Sequence, residues 1–375
     1  MRKYKSIKKL PIIGDENEHF IWNMEVWGAF QDFPDCHVGG NSFILKKDKV
    51  SDYFPEIVKR FPNLLVTVKV NFQFQNDGFT MDKYIIKNIA WLKGFAPRVY
   101  DVIEVEDIDG SIYKSHIVEY LEGSFPHKDR SPVLWNEYTE KLKEFFIGVY
   151  GKDYYSANFI NEKLIDFDEF KFDDKEKYKQ DLYKRYQKTA FWGNDSKAYQ
   201  HIPSIGIEGC RSYKRYELMG MSDMDLTGKT VLDIGCSGGQ VLFWAKERNA
   251  ERIVGVDTSE IANATFEMAN FHEFFDIETV GCDLTQDNIQ QLVKEETGLN
   301  QFDIVTIFSM NAHIGFHQYM RDLCKGTLFL ECNAAEMEDI ERIKYPKEFG
   351  KLGYTEFEYK GEVKESGTRS LFICR

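Results

Sequence analysis

The chain has 375 residues, of which 43% are hydrophobic and 15% aromatic. That is enough apolar material for two domains with separate cores, and too much for a disordered chain. Its 48 lysines and arginines stand against 61 acids, a formal charge of −13 that speaks for solubility and against broad binding to nucleic-acid phosphate. The 7 cysteines are odd in number and contain no CxxC pair, so neither a disulfide framework nor a zinc site is expected. The basic start MRKYKSIKKL has no apolar stretch after it, and no segment approaches membrane-spanning length. A cytoplasmic protein acting on a small molecule or glycan is the expectation, with the oligomeric state left open.

In chain order, residues 43–47 and 64–70 read as strands, the second (LLVTVKV) placing Lys69 inside an apolar run. Residues 82–93 are helical by spacing, because Ile85, Ile89 and Leu92 fall on one face. RVYDVIEVED, a turn at Asp109 and Gly110, and SIYKSHIVEYLEG then read as a hairpin. Helices are expected at 135–146 and 175–188.

The strand lysine, helix, hairpin and VEYLEG connector resemble the small lobe and hinge of the protein-kinase fold. DYYSAN at 153–158 and LIDFD at 164–168 resemble its catalytic loop and metal-binding segment. This resemblance implies an α+β domain over residues 1–185, with ATP as its nucleotide. Lys69 would hold the phosphates, Asp153 would be the base, and Asn158 with Asp166 would hold magnesium. The sequence departs from the pattern in three places. Gly151 and Lys152 precede Asp153 without a histidine, Ile85 stands where the helix would offer a glutamate, and HVGGNS at 37–42 has only two glycines. Read as residues alone, Lys69 is a solvent-facing strand lysine, and Asp153 and Asn158 are turn residues.

Residues 173–188 form a charge-rich helix whose Tyr178, Leu182 and Tyr186 make a packing stripe. No linker rich in proline, glycine or serine follows. A connecting and capping segment over 186–228 carries Tyr199, Gln200, Pro203, Gly206, Gly209 and Arg211. It resembles the stretch before the first motif in sugar-modifying and tRNA wobble-uridine-modifying methyltransferases. Arg211 then meets the cofactor carboxylate by planar bidentate pairing, or is a surface arginine at a helix start.

The last domain, 229–375, opens on TVLDIGCSGGQ (230–240), an apolar strand ending in an acid and a glycine-rich turn. Val231, Leu232 and Ile234 form the short run that a parallel strand buries on both faces. RIVGV ends at Asp257, about twenty residues on, where Rossmann-like sites set an acid against ribose hydroxyls. The strand at 278–282 ends at Asp283, and that at 302–308 ends at Ser309. Polar groups at the carboxyl ends of successive strands describe the rim where doubly wound sheets bind ligands.

These residues resemble the class I S-adenosylmethionine-dependent methyltransferases, with Ser237 in the usual middle-glycine position. The resemblance implies an α/β fold, a Rossmann-like, doubly wound, seven-stranded sheet, closed by a strand pair at 354–363 and 370–374. By it, Asp233 with Gly235, Cys236, Ser237 and Gly239 surrounds the methionine part of S-adenosylmethionine. Asp257 with Thr258 holds the ribose, Asp283 with Leu284 reads the adenine, and Ser309 completes the rim. No metal is implied in this domain. An NAD-binding Rossmann domain is the competitor, against which the turn reads GxSGG and not GxGxxG.

Methyl transfer to a hydroxyl needs alignment, exclusion of water and removal of a proton. The loop after the fourth strand offers His313 as general base or pocket wall. Glu331 and Asn333 end a fifth strand at 327–333 and orient a polar acceptor, or cap a helix at 335–343. An O-methyltransferase acting on a sugar, glycan or small polar metabolite is the favoured reading. The alternatives are a bifunctional kinase-methyltransferase acting on a glycan, a methyltransferase whose kinase-like lobe only binds, and a tRNA-modifying enzyme.

Overall fold

A computed structural model describes residues 1–10, 31–32, 36–38, 42–71, 81–123, 130–149, 159–164, 167, 170–190, 198–333, 339–365 and 368–375. The chain divides into two compact units, Met1–Gln180 and Asp181–Arg375.

The first unit is built on a seven-stranded sheet. Its strands are β1 (Arg2–Lys5), β2 (Gln31–Asp32), β3 (Cys36–Val38), β4 (Ser42–Leu45), β5 (Val66–Asn71), β6 (Val99–Glu106) and β7 (Ile112–Glu119). They lie in the order β1-β6-β7-β5-β4-β3-β2, antiparallel throughout except that β1 runs parallel to β6. Alternation along β5 sends Val66, Val68 and Val70 into a core shared with Ile103, Val105 and Ile117. Short helices at Val50–Tyr53 and Pro55–Arg60 close that core with Tyr53, Phe54, Ile57 and Phe61. Lys69 therefore belongs to the opposite face, where it pairs directly with His116 of β7. Helix α1 (Asp82–Leu92) packs there, its Tyr84 ring 4.9 Å from the His116 ring.

The hairpin turn falls where the sequence predicts it. Gly110 takes φ +88° and donates its N–H to the Asp107 carbonyl, a conformation that side-chain-bearing residues rarely adopt. Helices α2 (Ser131–Lys143) and α3 (Lys175–Ala190) match the two predicted segments, α2 starting and ending a few residues earlier than expected. Ile85 of α1 is fully buried. Asp153, Asn158 and Asp166 lie outside the described residues, as does the middle of the HVGGNS segment.

The second unit carries the other seven-stranded sheet. Its strands are β8 (Thr230–Ile234), β9 (Arg252–Asp257), β10 (Ile277–Gly281), β11 (Phe302–Phe308), β12 (Cys324–Asn333), β13 (Phe357–Lys364) and β14 (Thr368–Cys374). The order is β10-β9-β8-β11-β12-β14-β13. The first five are parallel, and β14 is antiparallel to both of its neighbours. This is the doubly wound sheet with a final hairpin expected from the sequence. Helices α4 (Gln240–Glu247), α5 (Ser259–Phe271) and α6 (Ile289–Thr297) connect the parallel strands. Leu232, Ile234, Val254, Val256, Val305 and Ile307 fill the centre of the core. Crossovers leave β8 in opposite directions toward β9 and β11, so their carboxyl ends flank a topological switch point, where such sheets bind ligands.

Two boundaries differ from the sequence reading. β10 begins and ends one residue earlier, which leaves Asp283 two residues past the strand. The last helix, α7 (Asp339–Lys351), runs eight residues beyond the expected end and tolerates Pro346 inside it. Proline spacing argues for a break there; the apolar side chains Tyr345 and Phe349, both buried in the core, hold the helix across it.

Candidate functional site: the carboxyl edge of the second sheet

The turn after β8 is shaped for a close approach by a ligand. Gly235 has φ +79° and Gly239 φ +83°, while Ser237 adopts a left-handed φ of +48° despite its side chain. That strain is held by its neighbours. Gly235 and Cys236 donate their amides to the Val256 carbonyl at 2.8 and 3.1 Å. The Ser237 amide donates to Asp257 Oδ2 at 2.8 Å, and Thr265 Oγ1 donates to the Ser237 carbonyl at 2.6 Å. A Cβ on Gly235 would strike the Met310 side chain, and one on Gly238 would strike the Tyr186 hydroxyl. The backbone is thus bare on a surface that side chains crowd from two directions.

Asp257 ends β9 and is almost fully buried. Its carboxylate accepts from Ser237 on one oxygen and from the Thr258 amide, at 2.7 Å, on the other. Burial raises its pKa, and the two amides pull it back. Each carboxylate oxygen has a further lone pair, so two acceptor positions remain for a diol. Asp233 lies deeper. Burial lifts its pKa to about 7, opposed by the Thr306 hydroxyl that donates to it at 2.6 Å. Cys236 is wholly buried, and its thiol is pushed well up.

Asp283 is exposed and folded onto its own turn, accepting the Thr285 amide at 3.0 Å and hydroxyl at 2.7 Å, which holds its pKa down. Leu284 beside it is buried, and its carbonyl accepts the Tyr319 hydroxyl at 2.8 Å. Asp257 at the end of β9 and Asp283 two residues past the end of β10 therefore lie along the same carboxyl edge of the sheet.

At the other end of the edge lies a polar cluster that the sequence does not reveal. Glu331 is 0% exposed. Its carboxylate accepts from Arg211 Nη2 on one oxygen and from Arg215 Nη1, at 3.0 Å, on the other. The Ser309 hydroxyl also donates to it, and Arg369 Nε stands 3.8 Å away. Arg211 further donates to the Tyr199 hydroxyl and stacks its guanidinium over that ring at 4.9 Å. Burial lowers the Arg211 pKa to about 10. Arg215 reaches Gln240, whose amide donates to the carbonyls of His201 at 2.7 Å and Arg211 at 2.9 Å.

Sequence reasoning has Glu331 face the cleft, as a candidate catalytic group that orients a polar acceptor, or cap the following helix. The structure instead encloses it between two guanidiniums, because three arginines converge on one strand end and need a counter-charge. Arg211 is neither a surface arginine nor free for a ligand on that side. Ser309 takes a left-handed φ of +61° to enter this cluster. His313 is exposed on the short helix Asn311–Ile314, beyond Met310. The Asn333 side chain lies outside the described residues.

Tyr186, Arg215 and Arg369 are residues that sequence reading does not assign to the site, and Gln200 enters it there only as part of the capping segment. The Tyr186 hydroxyl donates to the Gly238 carbonyl, and Gln200 Oε1 accepts the Gln240 amide at 3.0 Å. Tyr186 is visible in the sequence only as part of the packing stripe, all three members of which are buried. Among the described residues no group of three or more His, Cys, Asp or Glu side chains is placed to hold a metal, and no helix is long and apolar enough to cross a membrane.

Comparison with known proteins places this edge in context. Residues 232–325 match the family described as methyltransferase domain. The ubiquinone biosynthesis O-methyltransferase of Pseudomonas paraeruginosa is 37% identical over 90 residues, 24% of this chain and 35% of that one. Its counterpart in Acinetobacter baylyi is 33% identical over 89 residues, 24% of this chain and 34% of that one. The chain thus spans about a third of the length of the curated relatives it matches. Among solved structures, the bifunctional kinase-methyltransferase WbdD aligns at 19% identity and TM-score 0.37, over 52% of this chain and 45% of that one. The precorrin-6y C5,15-methyltransferase of Geobacter metallireducens aligns at 13% identity and TM-score 0.34, over 47% of this chain and 99% of that one. The second unit of this chain carries a methyltransferase domain.

Proposed function

We propose that the second unit transfers a methyl group from S-adenosylmethionine to a hydroxyl of a sugar, glycan or other small polar metabolite. The observation that carries this reading is the bare glycine turn tied to Asp257, with acceptor positions left on that carboxylate at the switch point of the sheet. A thickened turn or an Asp257 saturated by side-chain donors would not fit a nucleoside; neither is found.

When bound, the cofactor supplies an electrophilic methyl group on a sulfonium. The chain's part is to hold and orient. Asp257 would accept the ribose hydroxyls, Asp283 and Leu284 would border the adenine, and the turn from Gly235 to Gly239 would lie along the amino-acid portion. Met310 over Gly235 helps to exclude water from the reacting line. His313, exposed on the loop after β11, would take the hydroxyl proton, and Glu331 is committed to Arg211 and Arg215. In-line attack by the acceptor oxygen then needs no group on the chain other than this base and the walls of the pocket.

For the first unit, we read a kinase-like lobe that binds without transferring phosphate. Lys69 on the strand before α1, and the β6–β7 hairpin, support the likeness. The absence of any glutamate from α1 speaks against phosphoryl transfer. Calorimetric titration with S-adenosylhomocysteine, followed by methyl transfer from labelled S-adenosylmethionine to a panel of nucleotide sugars and oligosaccharides, tests the main reading. Failure of S-adenosylhomocysteine to bind overturns it. Binding with transfer only to tRNA would replace the acceptor class.

A further inference from the structure

His317 follows the loop after β11 and has an acceptor on each side of its ring. Its Nδ1 lies 3.0 Å from Asp287 Oδ1, and its Nε2 lies 2.6 Å from the Ile314 carbonyl oxygen. Neither a carboxylate nor a carbonyl can donate. A neutral ring has one N–H, so it satisfies one of the two and turns a lone pair toward the other. The imidazolium donates to both.

The two acceptors belong to different segments of the carboxyl edge. Asp287 stands between Asp283 and the start of α6, whereas Ile314 closes the short helix that also carries His313. Tyr319 ties the same two segments together a second time, since its hydroxyl donates to the Leu284 carbonyl at 2.8 Å. The rings of His317 and Tyr319 stack, with centroids 5.3 Å apart and planes 16° from parallel. The strand order sets β9 and β8 between β10 and β11. Both ties therefore join segments from either side of the strands that lead into Asp257 and the glycine turn. Burial raises the Tyr319 pKa, so that tie holds at any ordinary pH. The His317 tie depends on a proton.

Other titratable and charged groups nearby are engaged elsewhere. Asp283 accepts from Thr285, Asp322 accepts from Gln318 at 3.0 Å, and Arg321 donates to the Cys324 carbonyl. Cys282 lies near Tyr319, and burial pushes its thiol up to about 11. Among the described residues this leaves Asp287 as the charge that faces the imidazole.

We propose that His317 is a positioning residue for methyl transfer. As an imidazolium it pins the loop bearing Met310 and His313 to the segment after β10. On losing the Nδ1 proton it keeps the shorter bond to Ile314 and releases Asp287. The pin is closed in weak acid and open in weak base, across the range in which imidazoles change charge. This role rests on the second unit's being a site for S-adenosylmethionine, and not on which acceptor it takes.

The test compares the full chain with Asp287→Ala, whose native side chain is 94% exposed, so the substitution leaves the core intact. Calorimetry with S-adenosylhomocysteine at about pH 5.5 should show wild type binding about two- to fivefold tighter, the range of an exposed ion pair, and at about pH 8.5 the two should bind alike. Taking the ratio at each pH cancels the titration of Asp233, whose pKa is also about 7. Hydrogen exchange at the bonded amides of His313, Ile314 and Met320 should be faster in the variant by a similar factor, again only in weak acid. A ratio that is the same at both pH values would overturn the pin, because it would report only the field of the lost carboxylate. Equal exchange in the two proteins in weak acid would overturn it as well. Wild type that fails to bind S-adenosylhomocysteine while the exchange difference persists would overturn the cofactor reading and, with it, the positioning role.

Discussion

Replacing Glu331 by glutamine separates a structural role from a chemical one. The carboxylate is fully buried, and both of its oxygens are engaged, one by Arg211 and one by Arg215, with Arg369 3.8 Å away. Glutamine keeps the volume but removes the charge, and it can accept on one oxygen only. Two guanidiniums would then face each other across a neutral amide. Removing one partner from a buried ionic cluster costs about 3–5 kcal/mol. For a unit the size of Asp181–Arg375, each kcal/mol moves the midpoint by about 2–4 °C, so a fall of roughly 6–20 °C is expected. The assay is scanning calorimetry of wild type and variant side by side. Turnover measured well below the transition should fall much less than the 10²–10⁴-fold typical of losing a general base. A midpoint within about 2 °C of wild type, combined with turnover lost by about 10²-fold or more, would refute the argument and return Glu331 to the chemistry.

Three further outcomes follow from the site. Asp257→Ala should weaken S-adenosylhomocysteine binding by about 1–3 kcal/mol in calorimetry, and undiminished affinity would remove Asp257 from the ribose. His313→Ala should lower turnover about 10²–10⁴-fold without moving the thermal midpoint, since the side chain is exposed; an unchanged rate would leave positioning as the main catalytic contribution. Asp233→Asn removes a carboxyl whose pKa burial lifts to about 7 from an unfolded value near 4. A raised acid contributes stability that is fully present below the unfolded pKa and lost as pH rises through the folded one. Urea melts should therefore show wild type losing stability relative to Asp233→Asn between about pH 4 and about pH 8, and a constant difference would contradict the burial assigned to this group.

Much of the second unit is legible in the sequence because its information is local. Each strand is a short apolar run ending in a polar residue, and each of those residues lies on the same edge once the strands are parallel. The turn from Gly235 to Gly239 largely announces its own geometry, since Gly235 and Gly239 sit where positive φ is needed, although Ser237 adopts it as well. The Arg211–Glu331–Arg215 cluster is not legible, because Glu331 lies more than a hundred residues from either arginine and an arginine near a helix start looks like any surface cation. Glu331 reads as a strand-end acid like Asp257; only the convergence of three guanidiniums distinguishes it. In the first unit, the alternation of β5 predicts which face Lys69 occupies, but not that a histidine from β7 lies beside it.

Helix α3 has a consequence for any attempt to obtain the methyltransferase domain alone. A fragment starting at Ala198, within the capping segment, keeps every strand of the second sheet and every motif residue. It nevertheless loses Tyr186, whose hydroxyl donates to Gly238, and Arg185, which grips Glu267 of α5 through two bonds at 2.6 and 2.7 Å. Such a fragment would fold around a glycine turn that keeps Gln200 and Thr265 but has lost the Tyr186 hydroxyl behind Gly238. A fragment starting at or before Lys175 would keep that backing, so failure of the shorter piece to bind cofactor would be a matter of where the chain was cut.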